Sequence, residues 1–263
     1  MSAWEPPVKS ERQPLLRPSR RRALTLLAGL GTLAMAPAAR SDWWWLGRDM
    51  WRFLRGEPDL SGVSTAERIE ALHEALIIVT HTTTEVLGRR NGFYGNPEVR
   101  IPLPEVLETA RRSLDRIGMA EPLHALDERM NRAAEAAAPR ARPVFVEAIF
   151  ALDLENANAV LTGPADGATR YLEAHMRKRI GQALQPIVRD SLDEAEALET
   201  YRDLEDRMRR IPFLANVGFD PVEHVLEHTL NGLFHIMAEE EVRLRADPTG
   251  HGSDVFQRVF QAL

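Results

Sequence analysis

Apolar residues recur at three- and four-residue spacing through most of the chain beyond residue 63. This spacing gives a helix one continuous apolar face, so it predicts amphipathic helices. The breaks fall at Gly, Pro and Asn, and strand-like alternation occurs only from Val99 to Leu103. We therefore expect an all-α fold, a single-domain bundle of about eight to ten helices that spans residues 64–263. The helices are expected at residues 64–87, 104–117, 122–137, 141–152, 154–161, 168–183, 191–210, 221–245 and 254–262.

The first 38 residues have a different character. Arg20, Arg21 and Arg22 precede an apolar run that ends at Ala36, and small residues continue to Ala39. A basic region, a short apolar region and an A-x-A site are typical of a secretory signal peptide, and the adjacent arginines resemble a twin-arginine signal. The apolar run is too short to span a bilayer. We expect cleavage near residue 38 and a periplasmic product, with the twin-arginine and the general secretory routes both open.

Charge and cysteine content exclude several classes of protein. The chain has a net charge of −6, and it becomes more acidic once the basic residues of the signal peptide are removed. An acidic protein repels phosphate backbones, so we expect no nucleic-acid partner. The chain has no cysteine, which excludes disulfides, a thiol nucleophile and lipidation at an N-terminal cysteine.

A tryptophan-rich segment follows the predicted cleavage site. In residues 39–63, Trp43, Trp44 and Trp51 fall on the apolar side of a helical wheel, and arginines lie on the other side. Such a helix can lie in a membrane interface, where tryptophan is favoured. It can equally dock on the helical core, and the sequence leaves both interpretations open.

The segment from Asn91 to Glu105, with its two glycines and three prolines, resembles the signature of domain-of-unknown-function family 4197. Three later stretches, at residues 130–149, 161–171 and 230–248, extend the resemblance to about residues 64–260. The family consists of exported bacterial α-helical proteins. The resemblance therefore implies a helical fold and export, and it implies no reaction, ligand or cofactor.

Arg100 is the one cation in the stiff segment between Asn91 and Glu105. Pro102 and Pro104 restrict the backbone there, and Gly92 and Gly95 are expected to adopt positive φ. A guanidinium on a rigid segment can bind the carboxylate or phosphate of a ligand. The alternative is a structural ion pair with an acidic helix.

Four further residues are candidates for ligand contact. Asn131 and Glu135 lie one turn apart on an alanine-rich helix, where a polar pair either fixes the packing of two helices or contacts a ligand. Arg170 and Tyr171 follow a glycine-containing loop that opens the next helix. That loop lacks the preceding strand and the Lys-Ser/Thr of a phosphate-binding loop, so we interpret it as a helix connection.

Histidines follow one another along the helix expected at residues 221–245. His224, His228, Asn231, His235 and Glu239 fall on one side of a helical wheel, opposite the leucines. Two histidines one turn apart can share a metal ion. Because the stripe lies opposite the apolar face, we expect it to face solvent and to hold no metal.

No nucleophile, base and orienting acid occur in a recognisable motif. The favoured hypothesis is a non-catalytic binding protein of the periplasm or cell envelope, with a small anionic or amphiphilic ligand. One alternative is an enzyme or metal-binding protein whose site combines Arg100, Asn131, Glu135 and Arg170. Another is a scaffold that meets a partner or the membrane through its tryptophans.

Overall fold

The computed structural model describes residues 60–208 and 219–263, which contain eight α-helices and no strand. The predicted all-α class is confirmed, and the helix count agrees with the expected range. The expected signal peptide, Trp43, Trp44 and Trp51 lie outside the described residues. The helices are α1 (Thr65–Leu87), α2 (Glu105–Asp115), α3 (Glu121–Phe150), α4 (Ala157–Leu161), α5 (Gly167–Glu194), α6 (Ala197–Met208), α7 (Pro221–Ala246) and α8 (Asp254–Gln261).

Two long helices continue through the breaks that the sequence predicted at residues 138–140 and 184–190. α3 continues through Pro139 and Pro143, and α5 continues through Pro186. Proline removes one backbone hydrogen bond and crowds the preceding turn. The break expected between residues 137 and 141 is wrong because the alanines on both sides are buried in the core. The ring of Pro139 also packs on Gly88, where a Cβ atom would lie 2.6 Å from Pro139 Cγ.

The helices pack around α3, which contacts α1, α5 and α6. α5 packs on α7, and α7 also packs on α1. In the two described ranges, none of the helices has the length and apolarity required to cross a membrane.

The C-terminal helix α8 closes the bundle against α1, the first described helix. Ser253 donates from its backbone N and its hydroxyl to the two carboxylate oxygens of Glu74, over 2.7 and 2.6 Å. Arg258 donates to Glu67 over 2.9 Å. Phe256 and Phe260 are buried beside these contacts.

The segment between α1 and α2, residues 88–104, has no regular structure and is partly buried. We call it the linker. Phe93, Val99 and Ile101 are 0–5% exposed. Gly232 of α7 admits the linker closely, because a Cβ there would lie 2.8 Å from Phe93 Cε1 and 3.2 Å from Val99 Cβ. A buried irregular segment needs partners for its backbone polar groups, and α3 supplies them.

Candidate functional site

Asn131 of α3 holds the middle of the linker. Its Oδ1 accepts from the backbone N of Ile101, and its Nδ2 donates to the backbone O of the same residue, each over 2.9 Å. Nδ2 also donates to the backbone O of Asp127. The side chain is fully buried. Asn131 therefore pairs with the linker backbone as a neighbouring strand would, and it has no surface left for a ligand.

Glu135, one turn further along α3, holds the start of the linker. Its Oε1 accepts from the backbone N of Phe93 at 3.2 Å and of Tyr94 at 3.1 Å. Its Oε2 accepts from Arg132 at 2.7 Å. The sequence predicted that Asn131 and Glu135 face another helix, but both face the linker. The backbone amides of the linker have no partners in a helix or strand. The side chains of Asn131 and Glu135 therefore accept hydrogen bonds from three of them.

The glycines of the linker avoid crowding rather than adopt positive φ, which corrects the sequence-based expectation. The left-handed residue is Asn91, with φ of 69°. A Cβ on Gly92 would lie 2.4 Å from the backbone O of Leu87, and one on Gly95 would lie 2.7 Å from Asn91 Cβ. Close approach of the backbone therefore explains both glycines.

Arg100 forms an ion pair with Asp127 of α3, as the structural alternative predicted. The guanidinium also lies over the Tyr94 ring, 4.4 Å from its centre. The Arg100 side chain is 41% exposed, whereas that of Asp127 is 12% exposed. Arg100 therefore forms an ion pair, and the exposed part of its side chain can still contact a second group.

Two adjoining cavities, of about 280 and 510 Å³, form one groove along α7. Asn231 and His235 line both cavities. We call the whole the α7 groove. The linker lines the smaller cavity, and α5 lines the larger one. Its lining residues in the two cavities include Glu98, Arg100, Asp166, Thr169, Arg170, Glu173, His228, Asn231, Phe234, His235, Ala238, Glu239 and Val242.

The histidine stripe is only partly solvent-facing. His235 is exposed, as expected, but His224 and His228 are partly buried. His224 Nε2 lies 2.8 Å from the backbone O of Pro102, so the linker covers this turn of α7. Burial lowers the pKa of His228, and the neighbouring His224 lowers it further, against an opposing effect of Glu227. A helical wheel could not reveal this cover because it treats α7 alone.

Arg170 lies in the α7 groove, and Tyr171 does not. The Arg170 side chain is 71% exposed and pairs with Asp166 over 2.6 Å. Tyr171 donates from its hydroxyl to the backbone O of Asp153, and its ring packs on His175. The structure thus brings Arg100 and Arg170 to one groove. It leaves Asn131 and Glu135 behind the linker, in supporting positions.

Glu241 and Arg245 form an ion pair over 2.7 Å, as their one-turn spacing predicts, but their burial and their distant partners were not predicted from the sequence. Glu241 is 1% exposed and accepts from the backbone N of Ala168 at 3.0 Å and of Thr169 at 2.7 Å. It therefore caps α5, whereas Asp166 makes no capping hydrogen bond. A signal existed, because Glu241 continues the buried spacing of Met237 and Leu244 on α7.

Comparison with known families adds one match. A family model described as "Protein of unknown function (DUF4197)" matches residues 62–261, and the chain therefore belongs to that family. No curated protein and no solved structure matches the chain significantly.

Proposed function

We propose that this member of the DUF4197 family is an exported, non-catalytic binding protein of the periplasm or cell envelope whose ligand occupies the α7 groove. The observation that carries the proposal is that two neighbouring cavities share Asn231 and His235 in their linings. The larger cavity, of about 510 Å³, has the size of a small-molecule site. Asn131 and Glu135 hold the linker in place, which fixes the side of the groove at the smaller cavity.

The lining of the groove indicates the chemistry of the ligand. Its carboxylates are Glu98, Asp166, Glu173 and Glu239, and its guanidiniums are Arg100 and Arg170. Asp127 and Asp166 already neutralise the two arginines. Arg177 and Arg243 pair in turn with Glu173 and Glu239. Among the described residues, Glu98 is the lining carboxylate that lies near an imidazole and pairs with no arginine. The excess of negative charge therefore lies at Glu98, and it favours a cationic group over the small anionic ligand expected from the sequence.

An apolar side of the larger cavity supports the amphiphilic part of that expectation. Phe234, Ala238 and Val242 line it beside the charged residues. We therefore propose a small amphiphilic molecule that carries an amine or another cationic group.

The hydroxyl of Thr169, which lines the larger cavity of the groove, supports a binding role without catalysis. Thr169 is 1% exposed, and its Oγ1 has no hydrogen-bond partner. A nucleophilic hydroxyl needs an adjacent base to activate it. No histidine or carboxylate hydrogen-bonds to the hydroxyl of Thr169 in the described part of the chain, so the arrangement does not favour covalent catalysis.

Native mass spectrometry of the protein purified from the periplasm tests the ligand site. We expect a co-purifying small molecule in the wild type that is lost in Asn231→Trp, because the indole fills the groove between its two cavities. Arg189→Trp is the matched control, since it places the same ring on an exposed position of α5 outside the groove. Equal loss in both variants, or no bound molecule in the wild type, would contradict the proposal.

Export is tested separately. The basic and apolar regions of residues 1–38 support it, and N-terminal sequencing of the periplasmic product should begin near Ala39. Replacement of Arg20, Arg21 and Arg22 by lysine should slow export if the twin-arginine route is used. Undiminished export of the lysine variant would assign the protein to the general secretory route.

A further inference from the structure

Three metal-ligating side chains meet where the two cavities of the α7 groove join. We propose that Glu98, His235 and Glu239 bind a divalent transition-metal cation such as Zn²⁺. His235 and Glu239 lie one turn apart on α7, and Glu98 comes from the linker. One ligand atom from each residue lies within 4.8 Å of the other two.

The distances fit a shared cation better than direct hydrogen bonds. His235 Nε2 lies 3.6 Å from Glu239 Oε1 and 3.9 Å from Glu98 Oε2. Both separations exceed the usual length of an N–H···O hydrogen bond. Tetrahedral ligands about 2.1 Å from zinc are about 3.4 Å apart, so small side-chain rotations would complete the site.

The linker positions Glu98 for this role. Its backbone N donates to Asn96 Oδ1 over 3.1 Å, and the next residue, Val99, packs on Gly232 of α7. Gly232 lies one turn before His235 and Glu239 lies one turn after it, so the linker crosses α7 beside the other two ligands. Binding therefore needs no rearrangement of the backbone.

Charge in the groove favours a cation at this point. Two carboxylates flank one imidazole, and the whole lining has more carboxylates than guanidiniums. Arg243 donates to Glu239 over 3.2 Å, which orients that carboxylate from outside the site. An imidazole nitrogen with two carboxylate oxygens suits Zn²⁺ or Mn²⁺ better than Mg²⁺ or Ca²⁺.

The same cavity is lined by a residue whose buried hydroxyl has no hydrogen-bond partner. Thr169 lines the cavity that His235 and Glu239 also line, and its buried Oγ1 makes no hydrogen bond. Three protein ligands leave a coordination position of zinc open, as in sites that bind water or a substrate. The site therefore resembles an accessible zinc site more than a closed structural one.

The inference goes beyond the proposed function, because it requires no organic ligand. The metal site can be absent while a small molecule still co-purifies. Conversely, the protein can bind zinc when no small molecule co-purifies. The test therefore uses the metal alone.

Isothermal titration of the metal-free exported protein with Zn²⁺ tests the site. We expect one site per chain, with affinity lowered by about tenfold or more in His235→Ala and in Glu98→Gln. His81→Ala is the matched control. His81 also has a glutamate one turn further on, at 3.8 Å, but the described residues bring no third ligand to it.

Unchanged affinity in His235→Ala, an equal loss in His81→Ala, or no zinc binding by the wild type would overturn the proposal. Binding of Mg²⁺ or Ca²⁺ as tight as that of Zn²⁺ would overturn the assigned metal class. The three substituted side chains are 49–60% exposed, so each variant should fold, and a melting curve verifies this.

Discussion

Glu135 on α3 and Glu241 on α7 use the same chemistry in two regions of the molecule. Each buried carboxylate accepts hydrogen bonds from two successive backbone amides of a distant segment and pairs with an arginine of its own helix. Glu135 holds an irregular linker, whereas Glu241 caps a helix. The comparison shows that one side-chain type can satisfy the amides of either kind of segment.

The two regions differ in the arginine. Arg132 is 24% exposed and also pairs with Glu128 at the surface. Arg245 is 10% exposed, and it donates to the backbone O of Leu161 at 2.7 Å and of Val160 at 3.3 Å. The Glu241 pair therefore joins α4, α5 and α7, whereas the Glu135 pair joins only α3 and the linker.

The largest expected effect is on Glu241. Glu241→Ala leaves the buried guanidinium of Arg245 without its counter-ion and two backbone amides without partners, so we expect a loss of about 3–5 kcal/mol in the free energy of unfolding. Glu135→Ala leaves two backbone amides without partners, but Arg132 remains partly in contact with solvent. We therefore expect a smaller loss, of about 2–3 kcal/mol, in the free energy of unfolding. Urea unfolding followed by circular dichroism measures both. Equal losses in the two variants would show that burial of the arginine does not change how much each glutamate contributes to stability.

A glycine of the linker gives the second prediction. Gly92→Ala places a Cβ against the backbone of Leu87, and we expect a loss of about 1–3 kcal/mol. Gly92→Asn should lower the free energy of unfolding at least as much as Gly92→Ala, because asparagine also has a Cβ, although it tolerates positive φ. Gly62→Ala is the control, because a Cβ there meets nothing within 4 Å. Rescue by asparagine in the same unfolding experiment would restore the explanation from backbone conformation.

Arg100 gives the smallest expected effect. Its ion pair with Asp127 is partly solvated, and Asn131 and Glu135 hold the linker independently, so Arg100→Ala should lower the free energy of unfolding by about 0.5–1 kcal/mol. Thermal unfolding at low and at high salt measures the loss and its screening. A loss of several kcal/mol would mean that the ion pair, and not Asn131, keeps the linker in place.

The sequence predicted the helices best where their ends have clear local signals. Helices were expected from residues 64 and 221. Ser64 and Glu67 form a capping box at the start of α1, and α7 begins at Pro221 after its cap, Asp220. The ends expected inside α3 and α5 were wrong because proline chemistry is local, whereas the burial that outweighs it depends on distant helices.

The site was predictable only in part. The ion pair of Arg100 was one of two interpretations that the sequence supported, and the structure selects it. The approach of Glu98 to His235 joins residues 137 positions apart and depends on the path of the linker across α7. A wheel for one helix contains no information about that path.

The contact of α8 with α1 affects the order in which the bundle can form. Glu67 and Glu74 receive their partners from Arg258 and Ser253, which lie 191 and 179 positions further along the chain. A contact between residues so far apart in sequence closes a long loop, and it forms more slowly than contacts between neighbouring helices. We therefore expect the face of α1 that α8 covers to be among the last surfaces that are buried when the protein folds.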